Sequence, residues 1–131
     1  MKQSSYSIGA QGRLRAIAGD HFITLPVKVK KADVSALLDS NEVLKAGTLL
    51  TKDGKAVTTT ANASDVYGVI YEDVNFEGVI SPDGNADNGT AVAAIFVHGV
   101  LYEADVKFTK ESTVAGGKEV ERAALKQILF I

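Results

Sequence analysis

Apolar and polar residues alternate along residues 22–30, near the start of the chain. The apolar members of the alternation are Ile23, Leu25, Val27 and Val29. A period of two places successive side chains on opposite faces of an extended chain, so the pattern predicts a β-strand. Pro26 lies inside the segment and has no backbone N–H, so we expect this strand at the edge of a sheet.

Most of the chain from Val43 onwards is predicted to be β-structure. Further strands are predicted over residues 66–71, 74–80 and 90–102, because short apolar runs there are rich in β-branched and aromatic residues. The last of these strands is long, and we expect it to be bent or bulged at Gly99.

Two shorter features accompany these strands. Asp53-Gly54 lies between residues 49–51, which read Leu-Leu-Thr, and residues 57–60, and this dipeptide is the strongest short-range hairpin signal. Asp33 is expected to cap a short helix. The apolar side of that helix would carry Val34, Leu37 and Leu38.

The apolar period lengthens towards the end of the sequence. After Gly116-Gly117, apolar residues recur at helical spacing, at Val120, Ala124, Leu125 and Ile128. The pattern predicts an α-helix of about three turns. Three apolar residues follow it: Leu129, Phe130 and Ile131. Water would not favour such a group, so we expect these residues to dock on the core or on a neighbouring subunit.

The composition is that of one globular domain. The chain has 131 residues, 46% of them hydrophobic and 23% charged, and it contains no cysteine. The lack of cysteine excludes disulfides and thiolate metal sites. The longest apolar run, residues 91–97, is far shorter than a membrane-spanning helix requires. We find no secretory signal, so we expect a protein that is made in the cytoplasm and has no membrane partner.

Charge is unevenly distributed along the chain. Residues 1–31 hold six basic residues and one acidic residue, a net of +5, whereas residues 32–131 carry a net of −7. This split indicates a basic arm on an acidic body. We therefore divide the chain into a flexible basic arm over residues 1–21, a strand-like and short helical connector over 22–42, and a β-rich domain over 43–131.

The basic arm has three interpretations. It could bind nucleic acid, but the acidic body would repel the same polymer, so we expect no nucleic-acid partner. It could be solvated charge at a mobile end. It could also order against a partner protein by adding a strand, and apolar residues between the arginines favour this third interpretation. The residues that would make such a contact are Ile8, Arg13, Leu14, Arg15 and Ile17.

Candidate chemistry is sparse. Residues 83–89 place oxygen ligands at alternate positions, as a calcium loop does, but the glycine and glutamate that complete such a loop are missing. We expect a polar loop there, and neither a metal nor another cofactor. His98 is expected at the edge of the core or at a subunit contact. A hydrolase that used His98 with Asp105 would need a deep pocket, which the sequence gives no reason to expect. With no nucleophile motif, we expect no enzyme.

Several motifs occur in order from residue 43 to residue 131. They are AGTLL at residues 46–50, GVIYEDV at 68–74, VHGVL at 97–101, and a terminal helical segment over 119–131 that ends in Ile. In this order they resemble the motifs of the phage lambda type of head decoration protein. The resemblance covers about two thirds of the chain, and none of its motifs is a catalytic signature.

The resemblance implies a β-clip-like small barrel or sandwich with a short C-terminal helix and an extended N-terminal arm. It also implies a homotrimer on the exterior of a phage head, where it binds the major capsid protein and stabilises the shell as part of the virion. His98, Leu129, Phe130 and Ile131 are then expected at the subunit interface. The segment before Val43 is longer than in that family, which allows a head-fibre role. The alternative function is a β domain that binds carbohydrate or a cell surface.

Overall fold

The computed structural model describes residues 21–78 and 89–131. Its elements in chain order are β1 (Ile23–Lys30), a first 3-10 helix (Lys31–Leu37), β2 (Val43–Leu44), β3 (Leu49–Leu50), β4 (Gly68–Ile70), β5 (Val74–Asn75), β6 (Thr90–Leu101), a second 3-10 helix (Glu103–Asp105), α1 (Gly117–Ala124) and β7 (Ile128–Phe130). The prediction of a mostly β chain with a short helix is confirmed, and the described strands do not close into a barrel.

The long strand β6 organises the main sheet. The strand order is β1-β6-β4-β3, and β7 also pairs with β6. β1 runs antiparallel to β6, from Ile23 opposite His98 to Lys30 opposite Thr90. β1 lies at the edge of this sheet, as Pro26 predicted, because Pro26 has no N–H to donate to a second neighbouring strand. The segment 22–42, predicted as a connector, thus contributes a strand to the sheet.

Alternation along the strands sends side chains to two buried clusters, one on each face of the sheet. We call the first the helix-side cluster, and its members are Leu49, Val66, Val69, Phe96, Leu101, Val106, Leu125 and Ile128. We call the second the loop-side cluster, and its members are Val29, Val34, Leu44, Leu50, Ile70, Phe76, Ala93 and Ile95. Neighbouring residues such as Leu49 and Leu50 therefore point to opposite cores.

The irregularity predicted in β6 lies close to Gly99. Ile23 pairs with His98 but Thr24 pairs with Phe96, so Val97 is the extra residue of the bulge. Gly99 itself has φ +140°, and a Cβ placed on it would come within 2.5 Å of the Phe96 ring. Beyond the bulge, β6 takes β7 as a parallel partner, from Gly99 opposite Ile128 to Leu101 opposite Phe130.

The helix predicted at Asp33 is a 3-10 helix, and Asp33 does not cap it. The preceding residue, Lys30, occupies the N-cap position, and Asp33 lies in the first turn. Val34 is buried as predicted, whereas Leu37 is 38% exposed. A 3-10 helix has three residues per turn, so Val34 and Leu37 lie on the same side of it. Only Val34 reaches the loop-side cluster, and Leu38, just after the helix, packs against that cluster where Leu37 does not.

Asp39 fixes the chain between this helix and β2. Its Oδ1 accepts hydrogen bonds from the backbone N–H groups of Asn41 (2.8 Å) and Val43 (3.0 Å). The bond from Val43 lowers the pKa of Asp39 most. Desolvation opposes it, and the Asn41 N–H and the Lys45 ammonium add to the lowering. The net pKa is below the usual value of about 3.8 because the charged carboxylate is the better acceptor.

The turn predicted at Asp53-Gly54 is present, but the hairpin has a different partner. The N–H of Thr51 donates to the carbonyl of Lys55 across the turn, and one antiparallel bridge joins Leu50 to Ala56. β3 then pairs with β4 rather than with residues 57–60. The turn instead reaches β1: a Cβ on Gly54 would come within 2.5 Å of the Lys28 carbonyl oxygen.

The C-terminal helix is shorter than predicted. α1 has eight residues and ends at Ala124, so the expectation of three turns to Ile128 is wrong. Ile128 begins β7 instead. Both roles bury this residue, because Leu125 and Ile128 pack in the helix-side cluster. Leu125 and Ile128, two of the apolar residues that were predicted to share one face of a helix, are therefore buried by two successive elements, the end of α1 and the start of β7.

One carboxylate is buried at the helix-side cluster. Glu121 of α1 is 0% exposed. Its Oε1 accepts the backbone N–H of Thr109 at 2.7 Å. Its Oε2 accepts the hydroxyls of Thr109 at 2.8 Å and Thr59 at 2.7 Å. These donors satisfy the oxygens that burial removes from water, and they connect α1 to two separate loops.

Candidate interaction surface

His98 lies on the exposed side of β6, just after the bulge. It is paired across the strands with Ile23, which is 50% exposed. Its Nδ1 is 3.2 Å from the Oε1 of Gln127, in the segment that joins α1 to β7. His98 therefore lies at a surface where the sheet edge and the C-terminal segment meet.

A groove of about 430 Å³ runs along one side of His98. Ile23 of β1 lines it together with Val66 and Tyr67, which precede β4, and residues 124–127 line it from the end of α1. Tyr67 is 39% exposed, so part of its ring is accessible in this groove. The groove combines an apolar floor with the polar ends of His98 and Gln127.

A second groove of about 440 Å³ runs along the other side of His98. It is lined by His21, Gly99, Val100 and residues 126–129, so His98, Lys126 and Gln127 belong to both grooves. We call the two grooves together the His98 surface. Its described lining residues include His21, His98 and Lys126 but no aspartate or glutamate.

The three C-terminal apolar residues have different environments. Phe130 packs its ring edge-on against Phe108, with ring centroids 5.3 Å apart. Leu129 and Ile131 are each 62% exposed. Strand alternation explains the split, because Ile128 and Phe130 point inwards and Leu129 and Ile131 point outwards. Leu129 also lines the His98 surface.

Other predicted site residues fall outside the described part of the chain. They are the five arm residues Ile8, Arg13, Leu14, Arg15 and Ile17, and all of the candidate calcium loop except Gly89. The predictions for these residues stay predictions.

The hydrolase hypothesis finds no geometric support among the described residues. Asp105 belongs to the second 3-10 helix, and the polar contact of His98 is with Gln127 rather than with a carboxylate. Within residues 21–78 and 89–131, no three His, Asp or Glu side chains gather in a way that could hold a metal ion. Among the same residues, no helix has the length and apolar character to cross a membrane.

Sequence reasoning missed several residues of this surface. Ile23 belongs to an alternating strand pattern, which predicts burial on one face, but its part of β1 extends past the loop-side cluster. Lys126 follows the end of α1 at Ala124, and a single exposed lysine carries no local signal of a groove. Tyr67 lies inside a predicted strand. An apolar strand residue that lies beyond the buried core would indicate an interaction surface. The sequence does not identify such a residue, because only the strand register shows where the core ends.

Comparison with protein-family models, with curated proteins and with solved structures finds no match for this chain.

Proposed function

We propose that this protein is a non-enzymatic virion structural protein. In this proposal it is a homotrimer that binds the major capsid protein on the exterior of a phage head, stabilises the shell or anchors a head fibre, and has a β-clip-like fold. The proposal combines the ordered motifs that resemble phage lambda-type decoration proteins with one structural observation. That observation is the set of exposed apolar residues on and beside the His98 surface.

The exposed apolar residues support a subunit contact. Leu129 and Ile131 are each 62% exposed, and Ile23 is 50% exposed. Single apolar residues on a surface are ordinary, but a group around shared grooves is typical of an interaction surface. In a symmetric trimer such residues have a place to be buried. Three capsid-binding arms held together would also bind more strongly than one, with a gain of about 10²–10⁴.

The mass of the protein in solution and its binding to capsids test this proposal. We expect light scattering to give the mass of a trimer. We expect the protein to sediment with expanded capsid shells, and deletion of residues 1–21 to abolish that binding. Charge reversal at Arg13 and Arg15 separates charge from apolar contact within the arm. A monomer that does not bind shells would overturn the proposal.

Carbohydrate binding is a second candidate, and Tyr67 favours it. Exposed aromatic rings beside hydrogen-bonding groups are suited to stacking on sugars, and Tyr67 lies in one groove with His98 and Gln127. A glycan array with wild-type protein and the Tyr67→Ala variant tests it. A glycan signal that disappears in the variant would support this function, and no signal would remove it.

A further inference from the structure

We infer that residues 79–88 of one copy bind the His98 surface of a neighbouring copy. The inference rests on the proposed trimer and goes beyond it by naming the two surfaces that would meet. The contact is heterologous, because the segment and the surface are different parts of the chain. Such contacts form a closed ring when the rotation between copies permits closure.

Charge complementarity is the first argument. The described lining of the His98 surface has basic groups and no acid. Lys126 is exposed and has no ion-pair partner within the described part of the chain. Residues 79–88 read VISPDGNADN, with two aspartates and no basic residue. An ammonium and imidazole rings are suitable donors to such carboxylates.

Apolar complementarity is the second argument. Ile23, Tyr67 and Leu129 leave apolar area exposed on the His98 surface. Val79 and Ile80 precede the aspartates of the segment. Contact between these groups would remove apolar area from water on both copies. The segment and the surface are therefore complementary both in charge and in exposed apolar area.

The layout of β6 makes the contact one between copies. Residues 79–88 join Gly78 to Gly89, and Gly89 accepts a hydrogen bond from the Lys31 N–H at the beginning of β6. His98 is nine residues after Gly89, a distance of about 30 Å at the usual rise per residue. Gly89, which follows the segment, and His98 thus lie towards opposite ends of β6, as a head-to-tail contact requires.

The basic N-terminal segment is a poorer occupant. Residues 1–20 contain Lys2, Arg13 and Arg15 and one acid, Asp20. A segment with this charge would be repelled by the Lys126 ammonium. The same charge suits it to an acidic partner elsewhere, which agrees with the arm's role in the proposed function.

Charge exchange tests the contact. Lys126→Glu, and separately the pair Asp83→Lys and Asp87→Lys, should each weaken self-association about tenfold or more, measured by analytical ultracentrifugation. Lys107→Glu is the matched control, because Lys107 is exposed and lines neither groove. The chain that carries all three exchanges should recover association. Circular dichroism and thermal midpoints confirm that each variant is folded.

Engineered cysteines give a second readout. The natural chain has no cysteine, so Lys126→Cys with Asp87→Cys introduces the only two thiols of each copy, and the proposed contact brings position 126 of one copy close to position 87 of the next. We expect covalent dimers and trimers on denaturing gels, and far fewer from Lys107→Cys with Asp87→Cys.

The outcomes separate this inference from the proposed function. A trimer whose mass is unchanged in all charge variants, with no cross-link, would overturn the inference and leave the proposed function standing. Wild-type protein that binds capsids as a monomer would overturn the inference and the trimer but retain the capsid role. Loss of association in both single-sided variants, with recovery in the combined chain, would support the inference.

Discussion

The two clusters that flank the central sheet are similar in size and differ in chemistry. The loop-side cluster consists only of apolar side chains. The helix-side cluster borders a fully buried carboxylate, that of Glu121, which three hydrogen bonds connect to Thr59 and Thr109. Apolar packing alone stabilises the loop-side cluster. The helix-side cluster is stabilised by apolar packing and by the directed hydrogen bonds of Glu121. Two kinds of substitution should therefore reveal the difference.

The largest effect is expected from a cavity in the loop-side cluster. Phe76 is fully buried there, so Phe76→Ala should lower the free energy of unfolding by about 3–5 kcal/mol. Urea denaturation measures the loss. Leu37→Ala is the control, because Leu37 is 38% exposed and its truncation should cost less than about 1 kcal/mol. Equal losses in the two variants would contradict the assignment of this core.

A smaller loss is expected when the polar geometry of the helix side is changed at constant volume. Glu121→Gln replaces one acceptor oxygen by an amide that must itself donate, opposite groups that already donate. We expect a loss of about 3 kcal/mol in urea denaturation. Glu119→Gln on the same helix is the control, since its side chain is 72% exposed. An unchanged unfolding midpoint for Glu121→Gln would show that apolar packing alone stabilises the helix-side cluster as well.

The turn that covers β1 on the loop side gives an intermediate prediction. Gly54→Ala should lower stability by about 2 kcal/mol, because φ is +79° and the new Cβ would meet the Lys28 carbonyl. Gly78→Ala is a matched control with φ +76° and nothing within 4 Å of its Cβ. It shares the backbone cost and lacks the contact. The difference between the two thermal midpoints measures the contact, and identical midpoints would mean that the turn does not press on β1.

The smallest effect is expected at acidic pH. The pKa of Asp39 is lowered in the folded state, so its stabilising contribution is present above the unfolded pKa and lost as pH falls through the folded value. Asp39→Asn removes this titration, so its stability should fall less steeply below about pH 4 than that of the wild type. Thermal midpoints from pH 6 to pH 2 provide the measurement. Parallel acid limbs for the two proteins would count against the assigned role of Asp39.

Local pattern was sufficient for the elements whose neighbours are regular. The alternation of β1, the position of its proline and the long apolar run of β6 each predicted the observed strand. The predictions were wrong where a distant partner decided the outcome. β3 pairs with β4, and β4 in turn pairs with β6 through Val69 and Phe96, so the partner of β3 depends on a strand far along the chain. α1 ends before Ile128, which pairs with Gly99 as part of β7.

The candidate site was less predictable than the fold. His98 and Leu129 were selected from sequence, but their relation to Ile23, Tyr67 and Lys126 depends on the register of three strands and the end of a helix. No local period contains that information. The net charge of residues 32–131 is negative, and a summed charge does not show that one surface within this region is locally basic.

The position of β6 in the chain has a consequence for how the molecule reaches its native state. Ile23 finds its partner in His98, 75 residues later, and β4 and β7 depend on the same strand. Contact order is therefore high, and the entropy of closing such a loop precedes any gain from pairing. During synthesis, β1 must leave the ribosome and wait for most of the remaining chain. We expect folding to be slow and to occur late in synthesis, with β1, β4 and β7 pairing together once β6 is available.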